Sequence, residues 1–107
     1  MNEPKEVNVE KAYQLLQQKS HILVDVREMH EWLEGRAQGA IHLPKSKLNQ
    51  LESDRLPDKD QGILTICGGG VRSMHVAELL MEHGFKDVMS VAGGLRAWKA
   101  AKLPTED

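Results

Sequence analysis

Two short apolar runs constrain the fold of this chain more than any other feature. HILVDV (21–26) and GILTIC (62–67) are almost unbroken in apolar character and rich in β-branched residues. This pattern is typical of parallel strands that are covered on both faces. VMSV (88–91) is a third strand candidate, and AIHLP (40–44) is a shorter one that its final proline stops. A sheet buried on both sides needs helices on both sides, so the helical segments must supply two layers.

Segments with helical periodicity alternate with these strands. Asn8 is a suitable N-cap for a first helix ending near QQKS (17–20), and a second helix follows the glycines at 68–70. The second helix should end at Gly84, with Phe85 placed to contact Leu80 in a Schellman motif. The apolar positions of the two helices are Val9, Ala12, Tyr13 and Leu16 in the first, and Val76, Ala77 and Leu80 in the second, which also carries Ser73.

Three shorter segments complete the pattern of alternating elements. Residues 29–35 and 45–51 favour short helices, and AGGLRAWKAAK (92–102) favours a turn followed by a closing helix. The polar stretch ESDRLPDKDQG (52–62) is typical of a surface loop. We therefore predict an α/β fold with a central, mainly parallel sheet, helices on both faces and right-handed crossovers.

Length and charge limit the class of protein. The 107 residues are 40% hydrophobic and 28% charged, which predicts a single domain spanning 1–107. The net charge of -2 gives no basic stripe, so no nucleic-acid partner is expected. The stretch MNEPKEVNVE (1–10) does not resemble a signal peptide, and no apolar run approaches the roughly 20 residues that span a bilayer. We expect a cytoplasmic protein without a membrane partner.

The stretch CGGGVRS (67–73) holds the one cysteine of the chain at the end of a predicted strand. Ligands of open parallel sheets bind at the carboxyl ends of the strands. The glycines permit positive φ values and a cradle of N–H groups, and the following helix adds the positive end of its dipole. A cysteine that only filled the core would not need these neighbours, so Cys67 is the candidate nucleophile.

The free energies involved indicate that such a loop could lower the pKa of the thiol by itself. Lowering the pKa of a cysteine by about two units from about 8.5 requires roughly 2.7 kcal/mol. A helix N-terminus supplies about 0.5 to 2 kcal/mol, and each charge-assisted N–H bond adds a comparable amount. Two or three donors therefore suffice without a histidine base.

The chain resembles the rhodanese-like sulfurtransferases in four segments. The loop 67–73 is similar to their C-x-x-G-x-R-S pattern, and VDVRE (24–28) to their D-V-R signature. GRAQGAIHLP (35–44) is similar to their G-H-I-P-G-A-x-x-I-P segment, and GGLRAW (93–98) to their final G-G-x-x-x-W. The four segments occur in the family's order and cover nearly the whole chain.

The resemblance implies a persulfide mechanism. Cys67 would take sulfane sulfur from a small-molecule donor, thiosulfate or a thiol persulfide, and pass it to cyanide, a thiol or a partner protein. The outer sulfur would lie in a ring of amides, which would act as the substrate-binding loop. The residues of that loop are Gly68, Gly69, Gly70, Val71, Arg72 and Ser73. No metal and no organic cofactor are expected.

The resemblance also implies supporting residues and two departures from the family pattern. Asp25 should anchor the site from a neighbouring strand, and Arg27 should pair with Glu31 one helical turn away. Members active on thiosulfate often carry a basic residue where this chain has Gly68, so we expect a thiol persulfide to be the better donor. Arg36 and Gln38 replace the family's His and Pro, which should alter a loop rather than the chemistry.

Two other functions remain open from the sequence. A cysteine phosphatase or arsenate reductase of the same fold would resemble C-x-x-x-x-x-R, which is one residue longer than the loop found here. The present loop fits a single sulfur atom better than a tetrahedral oxyanion. A non-enzymatic sulfur carrier or docking module is the second alternative, and the retained Cys67 excludes only its inactive version.

Overall fold

A five-stranded parallel sheet forms the centre of the molecule. The computed structural model describes residues 4–50 and 58–107. The strands of this sheet are β1 (Lys5–Val7), β2 (His21–Asp25), β4 (Ile41–His42), β5 (Gly62–Ile66) and β6 (Val88–Val91). Their order in the sheet is β1-β6-β5-β2-β4, and the pairings are parallel throughout. The predicted α/β fold with a parallel sheet is confirmed.

Helices cover both faces of this sheet, as the buried strands require. The helices are α1 (Val9–Gln17), α2 (Met29–Trp32), α3 (Val71–Glu82) and α4 (Gly94–Ala100), with a 3-10 helix over Lys45–Gln50. The apolar side of α3 packs in one hydrophobic cluster, and α1 and α4 pack together in a second. Alternate residues of β5 enter the two clusters, Ile63 the first and Leu64 the second. The sheet is thus held between two layers of helices.

The ends of the two long helices follow the capping rules. The side-chain oxygen of Asn8 accepts a hydrogen bond of 2.8 Å from the backbone N–H of Lys11. At the end of α3, Gly84 has φ +97°, and the N–H of Phe85 donates to the carbonyl of Leu80 at 3.1 Å. This is the predicted Schellman motif.

Three short strands were not predicted. β1 adds to the edge of β6, and β3 (Arg36–Ala37) pairs antiparallel with β7 (Thr105–Glu106). Strands of two or three residues show no alternating pattern in the sequence, because backbone pairing with distant residues creates them. The predicted helix 45–51 is a 3-10 helix up to residue 50, and residue 51 lies outside the described residues.

The polar stretch 52–62 is described only from residue 58 onward. Residues 58–60 form an exposed turn, which agrees with the predicted surface loop, and residues 52–57 lie outside the described part. Gly62 already belongs to β5. In the two described ranges of the chain, no helix combines the length and the hydrophobicity needed to cross a membrane.

Candidate active site

Cys67 lies directly after the central strand β5, at the carboxyl edge of the parallel sheet. The loop 67–70 leads from β5 into α3, which begins at Val71. β2 and β6 pair with β5 on its two sides, so residues at their carboxyl ends surround the loop. The thiol is buried, with Cys67 only 1% exposed, whereas Gly69 at the outer side of the loop is exposed.

Two backbone amides and one hydroxyl surround the sulfur atom of Cys67. The N–H of Gly70 donates to Sγ at 3.0 Å, and the N–H of Ser73 donates at 3.4 Å. The hydroxyl of Ser73 lies 3.4 Å from the same sulfur. The sulfur is therefore buried, but hydrogen-bond donors that favour the thiolate lie beside it, and Cys67 is also a member of a hydrophobic cluster.

Burial and hydrogen bonding have opposite effects on the acidity of this thiol. Burial raises the pKa of Cys67, because the charged thiolate loses solvation. Hydrogen bonds from the hydroxyl and amide of Ser73 and from the amides of Gly70 and Gly69 lower it. The hydrogen bonds prevail, so the pKa of the Cys67 thiol lies below its ordinary value.

The three glycines of the loop have different roles. Gly70 has φ +108°, and a Cβ at this position would lie 3.2 Å from the backbone nitrogen of Gly93. Only glycine is accommodated there without strain. Gly68 and Gly69 do not adopt such positive φ values. The positive φ that the glycines were expected to permit is therefore found at Gly70 and not at Gly68 or Gly69.

The N-terminus of α4 holds the loop from behind. The N–H of Leu95 donates to the carbonyl of Cys67 at 2.7 Å, and the N–H of Arg96 donates to that of Gly68 at 3.1 Å. In a trans peptide the C=O and N–H point in opposite directions. Turning these two carbonyls towards α4 therefore turns the N–H groups of Gly68 and Gly69 away from it, and the N–H of Gly69 is among the donors that lower the pKa of Cys67.

Glycines make this close approach of α4 feasible. Gly94 has φ +58°, and a Cβ on it would overlap the carbonyl oxygen of Cys67. In the sequence, GGLRAW was a family motif and part of a predicted turn and closing helix, without a role for its individual glycines. The structure gives its first glycines a physical reason, because a side chain at Gly94 would push the helix off the loop.

Arg72 forms an ion pair on the rim of the site. Its guanidinium donates to both carboxylate oxygens of Glu31, at 2.6 and 2.9 Å. This pair joins the start of α3 to α2. The hydrogen bond to Arg72 is the main reason why the pKa of Glu31 falls from 4.5 to about 2. In this structure Arg72 therefore fixes the loop and its charge is compensated.

Asp25 and Arg27 form a second, buried ion pair at the end of β2. The Nε of Arg27 lies 3.0 Å from both carboxylate oxygens of Asp25, and its Nη2 lies 2.9 Å from Oδ2. Arg27 also donates to the carbonyls of Glu31 and Gly35, at 3.2 and 2.7 Å. Arg27 thus ties the α2 segment to the end of the strand.

The predicted side-chain pair between Arg27 and Glu31 is wrong. Spacing of four residues brings two side chains together only when both belong to one helix. Since α2 begins at Met29, Arg27 precedes the helix and turns back to Asp25. The carboxylate of Glu31 is left to Arg72, which is 41 positions away in the chain.

Arg36, which replaces the family's His, does not contact the loop of Cys67. Its guanidinium donates to the carbonyls of Trp32 and Asp107, and it lies over the Trp32 ring at 4.6 Å from the centroid. The ring of His42 also stacks on the Trp32 ring. None of these contacts involves the loop of Cys67, and the expectation that this substitution leaves the chemistry unchanged stays a prediction.

Two buried hydroxyl groups next to the loop were not predicted from the sequence. Ser90 on β6 is fully buried, and its Oγ lies 2.8 Å from the Oγ of Ser73. Thr65 on β5 donates its hydroxyl to the carbonyl of Ser73 at 2.8 Å. A polar residue inside each of two otherwise apolar strands was the available signal.

Metal ligation has no support among the residues that the structure describes. No group of three or more His, Cys, Asp or Glu side chains in residues 4–50 and 58–107 is arranged to hold an ion. The polar groups around Cys67 are hydrogen-bond donors, which suit an anion rather than a cation.

Comparison with known proteins places the chain in a family. The family described as rhodanese-like domain matches residues 8–101, and the chain belongs to it. Thiosulfate sulfurtransferase GlpE of Haemophilus influenzae is 37% identical over 102 residues, which cover 95% of this chain and 94% of that protein. These matches confirm the predicted family and support sulfurtransferase activity.

Two solved structures show the same fold. A rhodanese-related protein from Thermoplasma volcanium is 26% identical, with a TM-score of 0.82 over 95% of this chain and 97% of that one. The polysulfide-sulfur transferase homodimer of Wolinella succinogenes is 27% identical, with a TM-score of 0.85 over 98% of this chain and 80% of that one.

Proposed function

We propose that Cys67 carries the transferred sulfur as a persulfide. The observation that carries this proposal is the pair of amides, from Gly70 and Ser73, that donate to Sγ at the start of α3. Donors in this position stabilise negative charge on the sulfur both before and after it accepts a second sulfur atom. Sulfurtransferase relatives imply a sulfur donor and a sulfur acceptor as the two substrates.

The reaction takes place in two balanced steps. The Cys67 thiolate attacks the outer sulfur of the donor, and a new S–S bond forms while the donor's own S–S bond breaks. The electron pair of the broken bond leaves with sulfite if the donor is thiosulfate, or with the thiolate if it is a thiol persulfide. An acceptor such as cyanide then attacks the outer sulfur, leaves as thiocyanate and restores the Cys67 thiolate.

We infer that a thiol persulfide is the better donor for this chain. Thiosulfate carries two negative charges, and Arg72 is the one cationic residue of the loop 67–73 that could meet it. Gly68 supplies no charge, and the guanidinium of Arg72 is paired with Glu31. The Wolinella succinogenes relative bears the name polysulfide-sulfur transferase, so a donor with a sulfur–sulfur chain has a precedent in this fold.

Intact-mass measurement tests the persulfide. We expect wild-type protein to gain the mass of one sulfur atom after incubation with glutathione persulfide, and to lose it when cyanide is added. The matched variant Cys67→Ser should gain nothing, since serine cannot form a persulfide. A mass gain that survives in Cys67→Ser would contradict the proposal.

The donor preference has its own test in the variant Gly68→Lys. A lysine there should raise kcat/KM for thiosulfate by roughly three- to tenfold, because one added charge near an anion contributes about 1 kcal/mol. The value for glutathione persulfide should change less. Gly68→Ser is the control for loss of the glycine, and an equal gain in this neutral variant would refute the role of charge.

The alternatives predict different results in the same assays. A phosphatase would hydrolyse p-nitrophenyl phosphate, although the loop is one residue shorter than the phosphatase pattern. Cyanide would release thiocyanate from a loaded enzyme or a loaded sulfur carrier but not from an inactive docking module, so this assay separates the first two from the third. The extent 1–107 for the domain and the cytoplasmic location stay predictions, and the family match over residues 8–101 supports the first of them.

A further inference from the structure

A buried chain of hydroxyl groups leads from β6 to the sulfur of Cys67. Ser90 Oγ lies 2.8 Å from Ser73 Oγ, which lies 3.4 Å from the sulfur and 3.2 Å from the carbonyl oxygen of Gly70. Ser73 and Ser90 are both 0% exposed, so water does not compete for these hydrogen bonds. Of these two hydroxyl groups, that of Ser73 contacts the sulfur directly, and that of Ser90 reaches it only through Ser73.

Counting protons fixes the direction of these hydrogen bonds. Ser73 Oγ has one proton and three neighbours, and one of these, the carbonyl of Gly70, can only accept. Among the residues that the structure describes, Ser73 Oγ is the one hydrogen-bond partner of Ser90 Oγ. A buried hydroxyl rarely leaves its proton without an acceptor, so Ser90 donates to Ser73.

The same count distinguishes the two states of the cysteine. While Cys67 is a thiol, its S–H donates to Ser73 Oγ, and Ser73 donates to the carbonyl of Gly70. When Cys67 loses its proton, the sulfur needs donors, and the hydroxyl of Ser73 can rotate its proton from the carbonyl to the sulfur. In both states Ser73 Oγ accepts a hydrogen bond from the hydroxyl of Ser90. This hydrogen bond persists, whereas those of Ser73 with the sulfur and with the carbonyl of Gly70 change.

We propose that Ser90 is a positioning residue for the sulfur-transfer site. By donating to Ser73, it holds that oxygen beside the sulfur and leaves the single proton of Ser73 available to the thiolate. The hydrogen bond from Ser90 also polarises the Ser73 hydroxyl and makes it a stronger donor. The catalytic value of this arrangement rests on the proposed function of Cys67, whereas the effect on the thiol itself does not.

Alkylation of the sulfur-free protein by iodoacetamide, followed over a range of pH, tests the proposal. In Ser90→Ala we expect the midpoint of the pH profile to move up and the rate at neutral pH to fall roughly two- to fivefold, because one hydrogen bond to a charged network is lost. This readout needs no sulfur donor. It therefore remains valid even if Cys67 never forms a persulfide, which the mass experiment decides separately.

A double-variant cycle separates positioning from general damage to the fold. If Ser90 acts through Ser73, Ser90→Ala should shift the midpoint in the wild-type background but not in a Ser73→Ala background. Ser90→Thr, which keeps the hydroxyl, should restore the wild-type midpoint. An unchanged midpoint in Ser90→Ala, or an equal shift without the Ser73 hydroxyl, would overturn the proposal.

Thr65→Val is the matched control. Thr65 is also fully buried, pairs with Ser90 across β5 and β6, and binds Ser73 too, but at its carbonyl rather than its hydroxyl. We expect thermal unfolding to show a loss of stability in Thr65→Val at least equal to that in Ser90→Ala, with a smaller shift of the alkylation midpoint. A shift in Thr65→Val as large as in Ser90→Ala would contradict a specific role for Ser90.

Discussion

Two carboxylate–arginine pairs support the candidate site, and they differ mainly in burial. The Asp25–Arg27 pair at the end of β2 has side chains that are 1% and 6% exposed. The Glu31–Arg72 pair on the rim has side chains that are 25% and 36% exposed. Both are held by short, multiple hydrogen bonds.

The difference in burial assigns the two pairs different roles. A charge in the core cannot be left without its partner, because removing one partner leaves the other buried and unpaired. A charge on the rim is partly solvated, so removing its partner costs little stability. We therefore expect the inner pair to maintain the fold around the site and the outer pair to set the charge that an approaching donor meets.

The largest effect is expected from breaking the inner pair. Asp25→Asn leaves the guanidinium of Arg27 buried without a carboxylate and should lower the free energy of unfolding by about 3 to 5 kcal/mol. Urea denaturation measures this loss. The double variant Asp25→Asn with Arg27→Gln should recover part of it, since no charge then remains buried. A loss below about 1 kcal/mol in Asp25→Asn would show that this pair behaves like a surface pair.

Breaking the outer pair should change donor selection more than stability. Glu31→Gln removes the negative charge beside Arg72, so kcat/KM for thiosulfate should rise roughly two- to fivefold, with at most about 1 kcal/mol lost in stability. The value for glutathione persulfide should change little. Glu34→Gln is the control, because Glu34 is an exposed residue of the same segment. An equal rise in both variants would mean that net charge, not the Arg72 pair, controls donor selection.

The smallest effect is the pH dependence of the outer pair. The pKa of Glu31 in the folded protein is about 2, below its ordinary value of 4.5, chiefly because Arg72 donates to it. A carboxyl group whose pKa is lower in the folded than in the unfolded protein stabilises the fold at pH values above the unfolded pKa. This stabilisation is lost as the pH falls through the folded pKa. The stability advantage of wild type over Glu31→Gln should therefore be constant above about pH 4.5 and vanish towards pH 2.

Urea unfolding of both proteins over this pH range provides the measurement. Because both side chains of the pair are partly exposed, solvent screening should keep the advantage below about 1 kcal/mol. A difference between the two proteins that persists unchanged to the lowest pH would show that the charge of Glu31 contributes nothing to stability.

Local patterns were sufficient for the parts of the site that lie close together in the chain. The apolar run 62–67 predicted β5, and the residues directly after it predicted a nucleophile at the carboxyl edge of the sheet. The cap at Asn8 and the glycine at 84 predicted helix ends correctly, because a cap depends on a few adjacent residues. The lowered pKa of Cys67 could also be predicted, because the donors that lower it belong to Gly69, Gly70 and Ser73, all within six positions in the chain.

Contacts between distant residues could not be predicted in the same way. The partner of Glu31 is Arg72 rather than Arg27, and only the packing of α2 against the loop decides this. Ser90 and Gly94 lie on elements that are distant from the loop in the chain. Ser90 is close to the site because its hydroxyl contacts that of Ser73, and Gly94 because its Cα packs against the carbonyl of Cys67. No spacing in a single sequence encodes such distances.

The amino-acid sequence by itself determined the layered α/β architecture and the placing of one thiol where a central strand ends, because hydrophobic periodicity and turn residues act locally. Only the tertiary structure decided which charges pair, which helix binds the loop carbonyls and which hydroxyl contacts Ser73. These are properties of surfaces brought together from separate parts of the chain, and they exist only once the layers pack.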